Sequence, residues 1–155
     1  MQIYLAGAIE KSKDGGIWIR QNVRNALDGI NYINLIDPCD FKFNKKYKSL
    51  GELVENNRQW KSITRKVIEN DINAVVTSDV IIVVVNRLAG GGTITESVFA
   101  HRNGVPVIGY FSKDVFNNRK GLHPWLLASL TDECDNVEDL VRIVESYKLK
   151  EKRDA

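Results

Sequence analysis

The sequence predicts an α/β protein, a single doubly wound domain on a parallel sheet of about five strands. Three observations predict it. The run Val80-Ile81-Ile82-Val83-Val84-Val85 is apolar at every position, as a strand covered on both faces must be. Near the amino end, an apolar run, a glycine-bounded loop, a segment of helical period and a second apolar run follow one another as a βαβ unit. From there to the other end, strand-like runs alternate with segments of helical period.

The elements follow in order. Ile3-Tyr4-Leu5-Ala6 is a strand ending at Gly7, and Ala8 to Gly16 is a loop with the turn signal Asp14-Gly15-Gly16. Ile19, Val23, Ala26, Leu27 and Ile30 recur at helical spacing, so Ile17 to Gly29 reads as a helix. Tyr32 to Ile36 is the second strand, stopped by Asp37-Pro38. Cys39 to Asn57 is irregular, with Phe41, Phe43 and Tyr47 interleaved with lysines. Such a pattern can bind nucleic acid, but the nearly balanced overall charge favours a solvated loop and no nucleic-acid polymer as partner. Arg58 to Thr77 is helical, with Trp60, Ile63, Val67 and Ala74 on one stripe. After the central strand, a helix opens near Thr93 and closes at Asn103-Gly104. Val105 to Phe111 is a strand, Asp114 to Lys120 a polar loop, and Trp125 to Leu130 a short helix. Asp132 to Val137 holds the last strand. Glu138 to Tyr147 is a closing helix, leaving 1–147 as the domain and 148–155 as a charged tail that frays.

Composition excludes several classes. The chain of 155 residues is 43% hydrophobic and 27% charged, with a net charge of +2, the profile of a globular protein with a full core. No run is long enough to span a bilayer, and Met1 leads directly into a strand-like segment and not a signal peptide. Cys39 and Cys134 are isolated, which fits a reduced, cytoplasmic setting. Neither they nor His101 and His123 show metal-ligand spacing, so no metal and no cofactor is expected. Gly7-Ala8-Ile9 is not the dinucleotide fingerprint, and no phosphate-loop motif of the G-x-x-x-x-G-K-[ST] type occurs.

The chemistry concentrates in Gly90-Gly91-Gly92-Thr93-Ile94-Thr95-Glu96. Glycines let the backbone turn sharply and approach a ligand. Thr93 can cap the helix that follows, which places Glu96 in its first turn at the carboxyl end of the central strand, the edge where open α/β sheets bind ligands. Two roles are open to Glu96. Thr93-x-x-Glu96 is a capping box, and an ionised carboxylate at that edge is a nucleophile. Asp71, four residues after Val67 and three before Ala74, falls on an apolar stripe. Partial desolvation there raises its pKa and makes it a candidate proton donor; the alternative is an acid paired with an arginine or capping a loop. The amides of Gly91, Gly92 and Thr93 offer an anion site, to which Arg20 could add a charged contact.

Taken together, Ile3-Tyr4-Leu5-Ala6-Gly7-Ala8-Ile9, Asn70-Asp71 with Ser78-Asp79, and Gly92-Thr93-Ile94-Thr95-Glu96 resemble the nucleoside 2-deoxyribosyltransferase family, including its nucleotide N-glycoside hydrolase branch. The resemblance runs from Met1 to about Tyr110. It implies a flavodoxin-like sheet, Glu96 as the nucleophile at C1′ of the sugar, Asp71 as the group that contacts the base and assists its departure, and Tyr4 as the residue that orients nucleophile and sugar. Gly7, Ala8, Ile9, Arg20, Gly90, Gly92 and Thr93 become substrate-binding candidates. It also implies a homo-oligomer whose sites a neighbouring subunit completes, with His123 and Trp125 as candidates for that contribution. Gly90 stands where transferases of free nucleosides often carry an Asp near the sugar 5′-hydroxyl, and the later loop around His123-Pro124-Trp125 does not match residue by residue. The expected activity is deoxyribosyl transfer between a deoxynucleoside and a free base. A deoxynucleoside 5′-monophosphate hydrolase and a non-catalytic nucleotide-binding module are the alternatives.

Overall fold

A computed structural model describes residues 1–7, 17–40, 53–55, 57–86 and 90–154, with side chains described except at 17 and 149–154. The elements are β1 (Gln2–Gly7), α1 (Ile17–Leu27), β2 (Asn34–Ile36), a 3-10 turn (Pro38–Asp40), α2 (Trp60–Val76), β3 (Val80–Val85), α3 (Gly91–Arg102), β4 (Val107–Phe111), α4 (Lys113–Asn117), α5 (Pro124–Ser129), β5 (Asp132–Cys134) and α6 (Val137–Asp154).

Five strands form one sheet in the order β2-β1-β3-β4-β5, each neighbouring pair parallel. This is the flavodoxin-like arrangement, and its topological switch lies between β1 and β3. Successive strand side chains point to opposite faces. Ile3, Leu5, Val80, Ile82 and Val84 therefore pack on Ile19, Val23 and Leu27 of α1 and on Leu140 and Val144 of α6. Tyr4, Ala6, Ile81, Val83 and Val85 face the other way, toward Val75 of α2, Ala100 of α3 and Leu126 of α5. All six residues of β3 are buried, which explains the unbroken apolar run.

The differences from the expected boundaries have local causes. The Tyr32 carbonyl accepts from the Met1 ammonium at 2.7 Å, and the Ile33 amide donates to the Ile30 carbonyl, so a turn occupies the residues before Asn34. Pro106 has no amide for the ladder, and β4 begins after it. Asn136 Oδ1 accepts from the Asp139 amide at 2.8 Å, capping α6 where a longer β5 was expected. The stretch read as a polar loop forms α4, held by amides of Val115 and Phe116 on the Ser112 carbonyl and by burial of Val115. Helix α6 runs on to Asp154, into the segment set apart as a fraying tail. Lys, Leu and Glu there are good helix formers without an apolar stripe. The interleaved lysines and aromatics at 41–48 lie outside the described residues, as do Ala8 and Ile9.

Candidate active site

The site is assembled from β1, α2 and α3. Tyr4 sits in the middle of β1, paired in register with Ile81 of β3, and is fully buried. Its hydroxyl donates to Glu96 Oε1 at 2.7 Å. Burial, followed by the charges of Glu96 and Asp71, holds the phenol far above its usual range, so it acts only as a donor.

Helix α3 begins three residues earlier than the sequence suggests. Gly90 is its N-cap, in an extended conformation with φ −93° and ψ −179°, and the Ile94 amide reaches the Gly90 carbonyl at 3.2 Å. Thr93 is thus an interior, buried helix residue and not the cap, and Glu96 stands in the second turn. The capping box is not formed: the Glu96 carboxyl meets the phenol of Tyr4 instead. A cap at Gly90 costs the helix little relative to Ser or Thr, and it shifts the helix frame so that Glu96 faces the sheet.

Asp71 comes from the inner face of α2, where Ile63, Thr64, Val67, Asp71, Ala74 and Val75 are less exposed than Lys61, Ser62, Arg65, Lys66, Glu69 and Asn70. Burial pushes its carboxyl up to about 6. Its Oδ1 is sealed from solvent and has no hydrogen-bond partner among the described residues. Burial likewise pushes Glu96 up to about 7; the Tyr4 hydrogen bond pulls it down, Asp71 pushes it up, and Arg20 pulls it down. The three residues that the sequence singled out for chemistry therefore share one electrostatic neighbourhood. Near neutral pH they form a carboxyl poised between its two protonation states beside a second, partly desolvated acid.

The other candidates fall in different places. Gly7 ends β1 in a tight spot, where a Cβ would meet Val84 Cβ at 3.0 Å. At Gly90, Gly91 and Gly92 a Cβ would meet nothing within 4 Å, so the protein does not crowd the backbone there. Arg20 is not a surface contact for phosphate: it is 3% exposed, and its guanidinium donates to the carbonyls of Leu5 and Gly7, each at 2.9 Å, and to Asp37 Oδ1 at 2.8 Å. Asp37 also accepts from Arg24 at 2.7 Å and from the Cys39 amide at 2.9 Å. The sequence marked Asp37 only as the end of a strand, and nothing local announces a pair made across α1, β1 and β2. His123 caps α5 by accepting from the Trp125 amide at 3.2 Å. With Trp125, Gly91, Ile94, Thr95, Val98 and Phe99 it lines a groove of about 500 Å³, which Tyr4, Asp71 and Glu96 do not line. Among the described residues no group of His, Cys, Asp and Glu could hold a metal ion, and no helix is long and apolar enough to cross a membrane.

No protein-family model matches the sequence, and no curated protein matches it significantly. Solved structures do match. A conserved protein from Enterococcus faecalis V583 superposes with a TM-score of 0.62 at 16% identity, over 97% of this chain and 98% of that one. A 2-deoxyribosyltransferase from the psychrotolerant bacterium Bacillus psychrosaccharolyticus superposes with a TM-score of 0.61 at 16% identity, over 90% of each chain. The chain shares their fold. The likeness covers nearly the whole length of both partners.

Proposed function

We propose that the chain is an enzyme of the nucleoside 2-deoxyribosyltransferase family, cleaving the N-glycosidic bond of a 2′-deoxynucleoside and passing the deoxyribosyl group to another base. The observation that carries this reading is the Tyr4–Glu96 hydrogen bond with Asp71 beside it at the switch point of the sheet. Ionised Glu96, steered by Tyr4, attacks C1′ and forms a glycosyl ester. The C1′–N bond breaks, and its electron pair leaves with the base. Protonated Asp71, or a hydrogen bond from it, meets the charge developing on the base. The second base then attacks C1′, and the Glu96 carboxylate departs. At neutral pH Glu96, raised by burial to about 7, is in part ionised as a nucleophile must be, and Asp71, raised to about 6, keeps a protonated fraction of roughly one in ten.

The second reading is hydrolysis of a deoxynucleoside 5′-monophosphate. It is favoured by the glycine N-cap of α3, which makes no side-chain cap hydrogen bond and leaves the first turn open toward an anion. One incubation separates the readings. Purified protein with a deoxynucleoside or its 5′-monophosphate and a second free base should give base exchange without free sugar if it is a transferase, and free sugar or sugar phosphate if it is a hydrolase. Glu96→Ala should lower either rate by several orders of magnitude while the far-ultraviolet circular dichroism is unchanged. Near-normal turnover in that variant would remove Glu96 from the chemistry.

A further inference from the structure

Helix α2 carries a second orphaned group. Among the described residues, the buried side-chain oxygens without a hydrogen-bond partner are Thr64 Oγ1 and Asp71 Oδ1. A hydroxyl on a helix ordinarily solves this problem by bonding the carbonyl one turn back. Thr77 does so on Asn73 at 2.7 Å, Ser78 on Ala74 at 2.7 Å, and Thr95 on Gly91 at 2.8 Å. Thr64 does not. A buried polar group left in this state is costly and calls for a partner.

The two orphans share one face of the helix. Positions 64 and 71 are seven residues apart, on the same inner face of α2. Helical rise separates their Cα atoms by about 10 Å, a span that matches a flat heterocycle with a hydrogen bond at each end. The turn at 77–79 joins α2 to the start of β3. Helix α2 therefore runs back along the sheet, and Thr64 lies nearer than Asp71 to the carboxyl edge. Asp71 is the end close to Glu96 and so close to the glycosidic bond.

We propose that Thr64 is a specificity-determining residue, its hydroxyl bonding the far edge of a nucleobase that lies along α2 with its glycosidic end at Asp71. This rests on the deoxyribosyltransferase reading for the placement of the sugar, and adds to it the residue that selects the base. A hydroxyl both donates and accepts, so it suits a base whose far edge carries an amino group beside a ring nitrogen. It gives nothing to a ring with bare carbon at that position.

The test compares Thr64→Val, which keeps the shape and removes the hydroxyl, with Thr64→Ser, which keeps the hydroxyl. Adenine and unsubstituted purine are the probes, measured by calorimetric binding and as acceptors in base exchange. Thr64→Val should weaken adenine by about three- to tenfold and leave purine unchanged, while Thr64→Ser retains the preference for adenine. Since the hydroxyl has no partner among the described residues, Thr64→Val should not lower the melting temperature. Equal losses for both probes, loss for neither, a serine variant that behaves like valine, or failure of both probes to bind the wild-type protein would each overturn the proposal. Selective loss in binding without any exchange would keep the base subsite and reject the transferase reading. Exchange without the selective loss would reject the subsite alone.

Discussion

A tyrosine buried to the last atom would be an odd choice for a strand core if it were only filling space. A phenylalanine has the same shape and no hydroxyl to satisfy. The hydroxyl of Tyr4 has its partner in Glu96, and that single bond favours the ionised carboxyl against the burial that disfavours it. Two neighbours of Glu96, Tyr4 and Asp71, act in opposite senses, so their removal should move its titration in opposite directions. In the proposed chemistry the rate climbs as Glu96 ionises, with an ascending limb near pH 7. Tyr4→Phe should displace that limb to higher pH, because the bond that lowers the Glu96 value is gone. Asp71→Asn should displace it to lower pH, because a charge that raises the value is gone, although its maximal rate also falls. A pH–rate profile of kcat for the three proteins checks both signs.

At the scale of elements, the Arg20–Asp37 pair joins α1, the end of β1 and the turn after β2. Both partners are 3% exposed. Removing one leaves the other as an uncompensated buried charge. Asp37→Ala should therefore cost about 3–5 kcal/mol in urea unfolding, a large part of the stability of a domain this size. Arg24 remains partly solvated and gives Arg20 no substitute. The pair was illegible in the sequence because Arg20, Asp37 and the carbonyls of Leu5 and Gly7 meet only after α1 has docked. Element type was legible wherever apolar period was strong, as in β1, α1, α2 and β3. It failed where other forces decided. The start of α3 was misplaced because Thr93 is a better cap than Gly90 by local chemistry, yet Thr93 is buried against the core. Burial and the meeting of Glu96 with Tyr4 outweighed the cap preference.

At the scale of the whole molecule, two acids with raised values make stability depend on pH. Glu96 and Asp71 both titrate higher in the folded chain than in the unfolded one, so the fold favours their neutral forms. Their contribution is fully present below about pH 4, the unfolded values, and is lost as pH rises through about 6 and 7, the folded values. Glu96→Gln keeps an acceptor for Tyr4 without the buried charge. It should raise the melting temperature at pH 8, by at most about 3 kcal/mol of stability, and change it little at pH 4. Calorimetry of both proteins at the two pH values decides it, and a gain over the wild type no larger at pH 8 than at pH 4 would contradict the raised Glu96 value. A site held together at such a cost is the usual company of function. The overall architecture was legible in the sequence because alternation of strand and helix leaves few topologies for a parallel sheet. Thr64 left no signal, since a threonine on a helix is ordinary until its hydroxyl is seen to have no partner among the described residues.

Tyr4 and Glu96 lie 92 residues apart in sequence. Between β1 and its central partner β3 the chain must lay down α1, β2 and α2. As the protein is made, β1 emerges long before β3, carrying a row of backbone amides and carbonyls that has nothing to pair with on one side. A ribosome adding roughly 5–20 residues each second leaves that edge waiting for several seconds. The bond from Tyr4 to Glu96 must wait for that pairing, and a molecule that makes it has already joined β1 to β3, the strand pair most distant in sequence among those described. In the proposed chemistry, turnover can begin only once the sheet has closed around its own first strand.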